Sequence, residues 1–520
     1  MTEAPPKTEE QIPDQVASIT PKKRPWPFIV IATILALCAI VIPIAVVIAS
    51  KSDNNTGRNP SSFNNSQSIP TKLAPNALSP KPKWNFDTDK IVGVNLGNWL
   101  VLERWMNEDW FVAQAGPDAW DEWDFTLALG ANASPILEEH WGTWITEADV
   151  ERVFQAGINT FRVPLGFWVF IPTVAPEPYV TKGQLTHLEN LCKWAYARNM
   201  YIILDLHGLP GSQNGEQQSG HNTTNPTFYQ YVNQARSDQL VKAVVDWISQ
   251  SAYYSIFSAI EVINEPRPYT TEQRAMIRAY YERSYATIQT LGSKAPAMLF
   301  SDGFVPGDKF AYWWEFAAAH QTNPPSLLYT DHPYPGYFPA QSNAQDILNQ
   351  TCVKCAKYAN FPVSTIITEW SLRTGIQDTT FEKAHYQAQL STYSWFSGSV
   401  FWSIRTLDSK ISVLADKVAQ YQWSYESLLG RGSIVTPSSK NQSTTDYLKS
   451  LQAPCGPPPI INRNGSIPQG TEAAKAVAES EAAKAMIENL NKEILKAATQ
   501  FGLVGIGANA YMKGGTFRSG

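Results

Sequence analysis

The chain has 520 residues, 43% hydrophobic and 17% charged, and its 41 basic against 46 acidic side chains leave a formal net charge of −5. That balance excludes a nucleic-acid binder, because phosphate affinity needs a basic surplus or stripe. The 18 Trp, 22 Tyr and 22 Phe exclude wholesale disorder, which lacks so much buriable surface.

Residues 1–27 form a tail with Lys22, Lys23 and Arg24 just ahead of the stretch 28–49, FIVIATILALCAIVIPIAVVIA. These 22 uncharged residues make a helix of about 33 Å, enough to cross a ~30 Å hydrocarbon core. The stretch is longer than the apolar part of a cleaved signal peptide, about 7–15 residues, so it reads as a signal anchor. Cations crowd its N-terminal side, which places the tail in the cytosol and everything after about residue 50 outside. Residues 50–83, rich in Ser, Asn, Pro and Lys, have the composition of a solvated stalk. Seven N-x-S/T sequons follow the apolar stretch, at Asn54, Asn64, Asn132, Asn222, Asn349, Asn441 and Asn464, as expected of a chain on that side of a membrane.

From 84 to 455, short apolar runs alternate with longer amphipathic ones, the pattern of repeated βα units. Eight strands are expected, over Ile91–Leu96, Thr160–Leu165, Tyr201–His207, Ala259–Glu265, Ala297–Asp302, Leu328–Tyr334, Thr365–Trp370 and Ser399–Ile404. Eight units in this length predict a (β/α)8 TIM barrel with long loops. An open doubly wound sheet is disfavoured, because no Gly-rich phosphate fingerprint follows any strand. The extension 456–520 contains one amphipathic helix near 469–501, with Val477, Ile487, Leu490, Ile494 and Phe501 at three-to-four spacing. It is expected to be solvated and loosely attached. Of the five cysteines, Cys38 lies in the apolar stretch and Cys192 in a helical pattern that buries it as a thiol. The Cys352/Cys355 pair has no second CxxC and no matching His pair, so no metal site is expected.

Barrel chemistry sits at the C-terminal ends of strands, and polar residues gather there. The second strand ends near Arg162, the third with Asp205 and His207, the fourth with Asn264 and Glu265, the sixth with Asp331, His332 and Tyr334, the seventh with Glu369, and the eighth reaches Trp402. Two glutamates ending the fourth and seventh strands bring two carboxylates together across the mouth. One protonated carboxyl and one ionised carboxylate flanking a bond are what glycoside hydrolysis needs. Like-charge repulsion is expected to raise the pKa of Glu265, leaving Glu369 ionised for attack. Trp99, Trp168 and Trp402 offer flat faces on which sugar rings stack.

The motifs GVNLGNWLVLE (93–103), FRVPLGFW (161–168), LDLHGLPGSQNG (204–215), INEP (263–266), DHPY (331–334), TEWS (368–371) and FWS (401–403) resemble glycoside hydrolase family 5, specifically the fungal exo-β-1,3-glucanases. The resemblance runs from about residue 84 to Cys455, in the family's order. It implies a retaining β-glucosidase mechanism without metal or cofactor, with Glu265 as acid/base and Glu369 as nucleophile. It also implies that Glu103, Arg162, His207, Asn264, His332, Tyr334 and Trp402 line the innermost sugar site, and that Cys455 bridges to Cys352 or Cys355. Where the family usually reads QNGFDNSG, with a Phe at an aromatic entrance, this chain reads QNGEQQSG with Glu216 in that place, while Tyr337 keeps an aromatic on the other side. The expected protein is thus a glucan exo-1,3-β-glucosidase acting on cell-wall glucan from the plasma membrane. It would be a single-pass type II protein held by 28–49, with its catalytic domain outside. The rivals are another retaining β-glycosidase of the same clan, a β-1,6-glucanase or a glucosylceramidase, and a non-catalytic wall-binding anchor.

Overall fold

In the computed structural model the described residues are 78–305, 307–411, 417–439, 441–452 and 454–503. Segment 28–49 and the sequons at Asn54 and Asn64 lie outside them. Among the described residues no helix is long and apolar enough to cross a membrane.

Eight parallel strands close into a barrel in sequence order: β1 Ile91–Asn95, β2 Thr160–Gly166, β3 Tyr201–Gly208, β4 Phe257–Glu261, β5 Ala297–Ser301, β6 Leu327–Asp331, β7 Ser364–Ile367 and β8 Gly398–Phe401. The ring closes by pairing Ile91 with Gly398 through Val94 with Phe401. Nearly every strand residue is buried, because the barrel interior takes one face and the surrounding helices the other. Ile91, Ile203, Ala259, Leu299, Leu328, Ile366 and Val400 fill the interior, with Phe86 packed among them. The closure is tight: a Cβ on Gly398, which sits at φ 99, would fall 2.1 Å from the carbonyl oxygen of Ile91, so only glycine starts β8.

Six of the strands end earlier than the sequence predicts, while β2 and β3 each run one residue further. β4 stops four residues before Glu265, β6 before His332 and β7 two residues before Glu369, so the apolar run continues past the last ladder bond into the loops that form the mouth. Arg162 corrects in the other direction: it lies inside β2, paired with Asn95 and Ile203, and its guanidinium reaches the mouth from below.

The C-terminal helix spans Thr471–Gln500 and is firmly docked, contrary to the solvated attachment expected of it. Its buried face is Ala473, Ala476, Ser480, Ala483, Ile487, Leu490, Ile494 and Ala498, small enough for close approach to helices Tyr231–Gln250 and Thr271–Gln289. Arg278 Nη1 donates to Ser480 Oγ at 2.9 Å and Arg283 Nη1 to Asn491 Oδ1 at 2.8 Å, while Ile494 and Ala498 pack on Ala235. Phe501 is exposed and does not join this face. Four alanines, which hydropathy underrates, extend the stripe of Ile487, Leu490 and Ile494 along the helix.

Cys352 is bonded to Cys455 across 103 residues, and Cys192 and Cys355 are free and buried. Closing so long a loop removes chain entropy worth up to about 4.7 kcal/mol. Cys455→Ser is expected to lower the denaturant midpoint accordingly, and non-reduced peptide mapping should recover the 352–455 linkage. Cys192 and Cys355 should react with iodoacetamide only after unfolding.

Two histidines are buried as neutral rings. Burial pushes His140 down to about 4, against a hydrogen bond to the Asn98 carbonyl, and His385 down to about 3. Both ring nitrogens of His385 lack a partner among the described residues. The unfolded chain titrates near ~6.5, so below that pH it binds more protons than the folded one. Their contribution is therefore complete above about pH 6.5 and is lost as the pH falls toward their folded values. His385→Leu should flatten the loss of stability between pH 7 and pH 5, read as the difference in denaturant midpoints. A variant as acid-sensitive as the parent would contradict this.

Candidate active site

Arg162 organises the mouth. Fully buried, it donates from Nε to Glu261 Oε2 at 2.8 Å, from Nη1 to Asn95 Oδ1 at 2.9 Å and Glu369 Oε1 at 2.8 Å, and from Nη2 to Asn264 Oδ1 at 2.8 Å, with Asp205 Oδ2 3.1 Å away. A planar fork with fixed donors suits this task as a lysine would not. Asp205 in turn holds His207 Nδ1 at 2.5 Å, and the ring of His207 stacks on Trp402 with centroids 5.6 Å apart.

The two glutamates converge on one imidazole. His332 Nδ1 lies 2.9 Å from Glu265 Oε1 and 3.6 Å from Glu369 Oε2, and its Nε2 lies 2.9 Å from Thr368 Oγ1. Tyr334 donates its hydroxyl to Glu369 Oε2 at 2.6 Å, so both oxygens of that carboxylate accept a bond. Glu265, His332 and Glu369 each place one ligand-type atom within 4.8 Å of the others. A cation would fit that spacing, but the donors on Glu369 from Arg162 and Tyr334 already supply its electrostatic partners. Glu265 itself sits at φ 43, a left-handed backbone that costs a non-glycine residue about 1–3 kcal/mol, and Asn214 Nδ2 holds its carbonyl at 3.1 Å.

The electrostatics depart from the expectation that Glu265 is pushed up. Burial does push it up, but the hydrogen bond and charge of His332, with His207 and Arg267 beyond, outweigh this and hold it below the usual carboxylate range. Burial pushes His332 down, yet Glu369, Glu261 and Glu265 hold it well above an ordinary histidine. Both directions favour a protonated His332 one hydrogen bond from an ionised Glu265. An imidazolium between the two carboxylates cancels the like-charge repulsion expected of a bare pair. Glu103, accepting from Trp105 Nε1 at 2.9 Å, is raised by burial to about 7.

These groups surround a cavity of about 710 Å³ lined by Glu103, His207, Asn264, Glu265, His332, Tyr334, Tyr337, Glu369 and Trp402, with Arg162 beneath, within the ~300–1,000 Å³ usual for ligand pockets. Two of the tryptophans offered as sugar platforms are core instead. Trp99 donates Nε1 to the carbonyl of Trp141 at 2.8 Å, and Trp168 stacks on Tyr179 at 3.8 Å. Asp331 also turns away, bonded to Lys309 and to the Tyr358 hydroxyl. Sequence reasoning missed Glu261, Trp105, Trp423, Arg267 and Phe304. Glu261 carried a signal, as an acid flanked by Ile260 and Val262 in an apolar run, whereas Trp423 arrives from a stretch with no motif.

A family model described as Cellulase (glycosyl hydrolase family 5) matches residues 129–405, more than half of the chain and most of the barrel. The chain belongs to glycosyl hydrolase family 5. Its relatives are fungal glucanases. A glucan endo-1,6-beta-glucosidase B of Emericella nidulans is 29% identical over 369 residues, 68% of this chain and 87% of the relative. A probable glucan 1,3-beta-glucosidase A of the same organism is 38% identical over 222 residues, 42% of this chain and 52% of that one, so this second match spans about half the relative's length. A rutinosidase from Aspergillus niger shares the fold, with TM-score 0.60 and 24% identity over 68% of this hydrolase and 100% of that chain.

Proposed function

We propose that this family 5 hydrolase is a retaining β-glucosidase of cell-wall glucan, releasing glucose from β-1,3 chains. The observation that carries the mechanism is the approach of Glu265 and Glu369, oxygen to oxygen within 4.8 Å. Retaining pairs hold their carboxyl groups about 5–5.5 Å apart and inverting pairs roughly 6.5–9.5 Å to admit a water, and one oxygen of each within 4.8 Å supports the closer arrangement. Glu369, held by Arg162 and Tyr334, attacks the anomeric carbon as the bond to the departing oxygen breaks. Glu265 delivers a proton to that oxygen, drawn from the store on His332 Nδ1. Water then enters, Glu265 takes its proton, and the resulting hydroxyl displaces Glu369 with a second inversion. A non-catalytic wall binder has no use for two carboxylates converging on one imidazole in the cavity.

A second reading, β-1,6 cleavage, is favoured by Glu216 and Arg267 at the cavity rim and by the long match to the endo-1,6-glucosidase. A product profile of the purified protein on laminarin, pustulan and aryl β-glucosides separates the two. Glucose alone from laminarin supports the first reading. Preferential cleavage of pustulan overturns it in favour of the second, and no cleavage of any β-glucoside overturns both.

We propose also that 28–49 anchors the hydrolase in the plasma membrane with its barrel outside. The uncharged 22-residue run and the exposure of the sequon residues Asn132, Asn222, Asn349, Asn441 and Asn464 support this. Protease treatment of intact cells should remove a glycosylated barrel, and an unglycosylated, protected barrel would overturn the topology.

A further inference from the structure

The cavity lining combines two unlike surfaces. Phe338, Tyr337, Trp423 and Trp105 form an unbroken run of rings, with successive centroids 4.3, 5.3 and 5.6 Å apart. From the loops after β3 and β4 come Glu216 and Arg267, joined Nη1 to Oε1, both lining the same cavity. Arg267 follows Glu265 by two residues, and its guanidinium lies over the Phe304 ring, 5.5 Å from the centroid.

This ion pair is not needed to hold the two loops together. Gln213 Nε2 donates to the Asn264 carbonyl at 2.9 Å, Asn214 Nδ2 to the Glu265 carbonyl at 3.1 Å, and the Arg267 amide to the Gln213 carbonyl at 3.3 Å. The side chains of Arg267 and Glu216 are 37% and 38% exposed, and a pair so open to water adds little to stability. What the pair does offer is a fixed set of donors and acceptors beside the acid/base, where a departing group must lie. A guanidinium carries five N–H donors and the bond to Glu216 occupies one, while stacking on Phe304 restrains the fork. A sugar ring presents an apolar CH face and a rim of hydroxyls, matching the ring run and the ion pair respectively.

We propose that the Glu216–Arg267 pair recognises the departing sugar through its hydroxyls, and so selects hydroxyl-rich leaving groups over apolar ones. This rests on the retaining β-glucosidase reading of the same site. An oxygen leaving from an alkyl chain gains nothing from the pair and must leave its charges facing hydrocarbon. A sugar replaces the water on both partners with matched hydrogen bonds.

The test compares kcat/KM on laminaribiose and gentiobiose with kcat/KM on octyl β-glucoside, for the full-length parent, Glu216→Ala, Arg267→Ala and the double variant. Each single change is expected to lower the disaccharide-to-octyl ratio about tenfold, the worth of one charge-assisted hydrogen bond. The double change should lower it by less than the product of the singles, because each removal already disables the partner. Glu216→Gln, which keeps the shape and an acceptor, should recover part of the ratio, an effect that a merely structural role would not produce. Thermal unfolding should stay within a few degrees of the parent. An unchanged ratio in an active enzyme, or an equal loss on every substrate, overturns the role of the pair alone. A parent inactive on every β-glucoside overturns the catalytic reading and this one with it.

Discussion

Glu369→Gln is expected to abolish turnover on every substrate, by roughly four orders of magnitude or more, the loss seen when the group that forms the covalent bond is removed. No other carboxylate can replace it. Glu261 is locked to Arg162 Nε, and Glu103 is bonded to Trp105 and raised to about 7, so that much of it is protonated at neutral pH. Glu265→Gln should behave differently. With an activated aryl glucoside, whose leaving group needs no proton, the first step survives and the glucosyl-enzyme accumulates. Added azide should then restore turnover and yield a β-configured glucosyl azide. Trapping the intermediate by mass spectrometry on Glu369 checks both assignments at once. An α-configured azide, or a Glu369→Gln enzyme still cleaving laminarin near the parent rate, would exchange or remove these roles.

Arg162→Met should be the most damaging single change that leaves both glutamates in place. It strips the counter-charge from three carboxylates, of Asp205, Glu261 and Glu369, that lie within 3.1 Å of the guanidinium. Removing one partner of a buried ionic cluster costs about 3–5 kcal/mol, because the remaining charges stay desolvated and unpaired. Arg162, with His332, also holds Glu261 well down, at about 2, against burial that pushes it up, so Glu261 should take up its proton at a higher pH in the variant. The loss of kcat should reach about 100- to 1,000-fold, comparable to removing one preorganised electrostatic donor, since Glu369 loses the donor to Oε1. Arg162→Lys should rescue little, having neither the fork nor the reach to four acceptors. Differential scanning calorimetry and aryl glucoside kinetics on the same preparations decide it. A variant with parent-like melting would mean that the carboxylates find other compensation.

The positions that carry chemistry are legible in the amino-acid sequence because barrel architecture ties function to strand ends. Eight apolar runs, several of them followed by Asn, His, Glu or Trp, locate the mouth without distances. Glu103, His207, Asn264, Glu265, His332, Tyr334, Tyr337, Glu369 and Trp402 do meet around one cavity. The strand limits are less legible. Hydrophobicity continues beyond the last ladder bond wherever a loop is as buried as the strand it leaves, as at Val262 and Ile263 beyond β4. The tryptophans mislead for the same reason: a buried ring in the core and a ring on the cavity wall have the same local pattern, so Trp99 and Trp168 look no different from Trp402. The C-terminal helix misleads in the opposite sense, since its docking face mixes alanine and polar residues with only three large apolar ones.

By itself, then, the sequence determined the elements and their order, because burial periodicity and turn residues act over a few positions. It also determined most of the residues at strand ends that reach the mouth, because the barrel converts strand order into position around a ring. Only the tertiary structure decided that Cys352 rather than Cys355 meets Cys455, that His332 stands between two carboxylates that hold its pKa up, and that Glu216 is answered by Arg267. Each of these is a choice of partner between residues 37 to 103 positions apart. Such a choice depends on distances of a few ångströms and on the local desolvation of the charges, and no pattern along the chain encodes either.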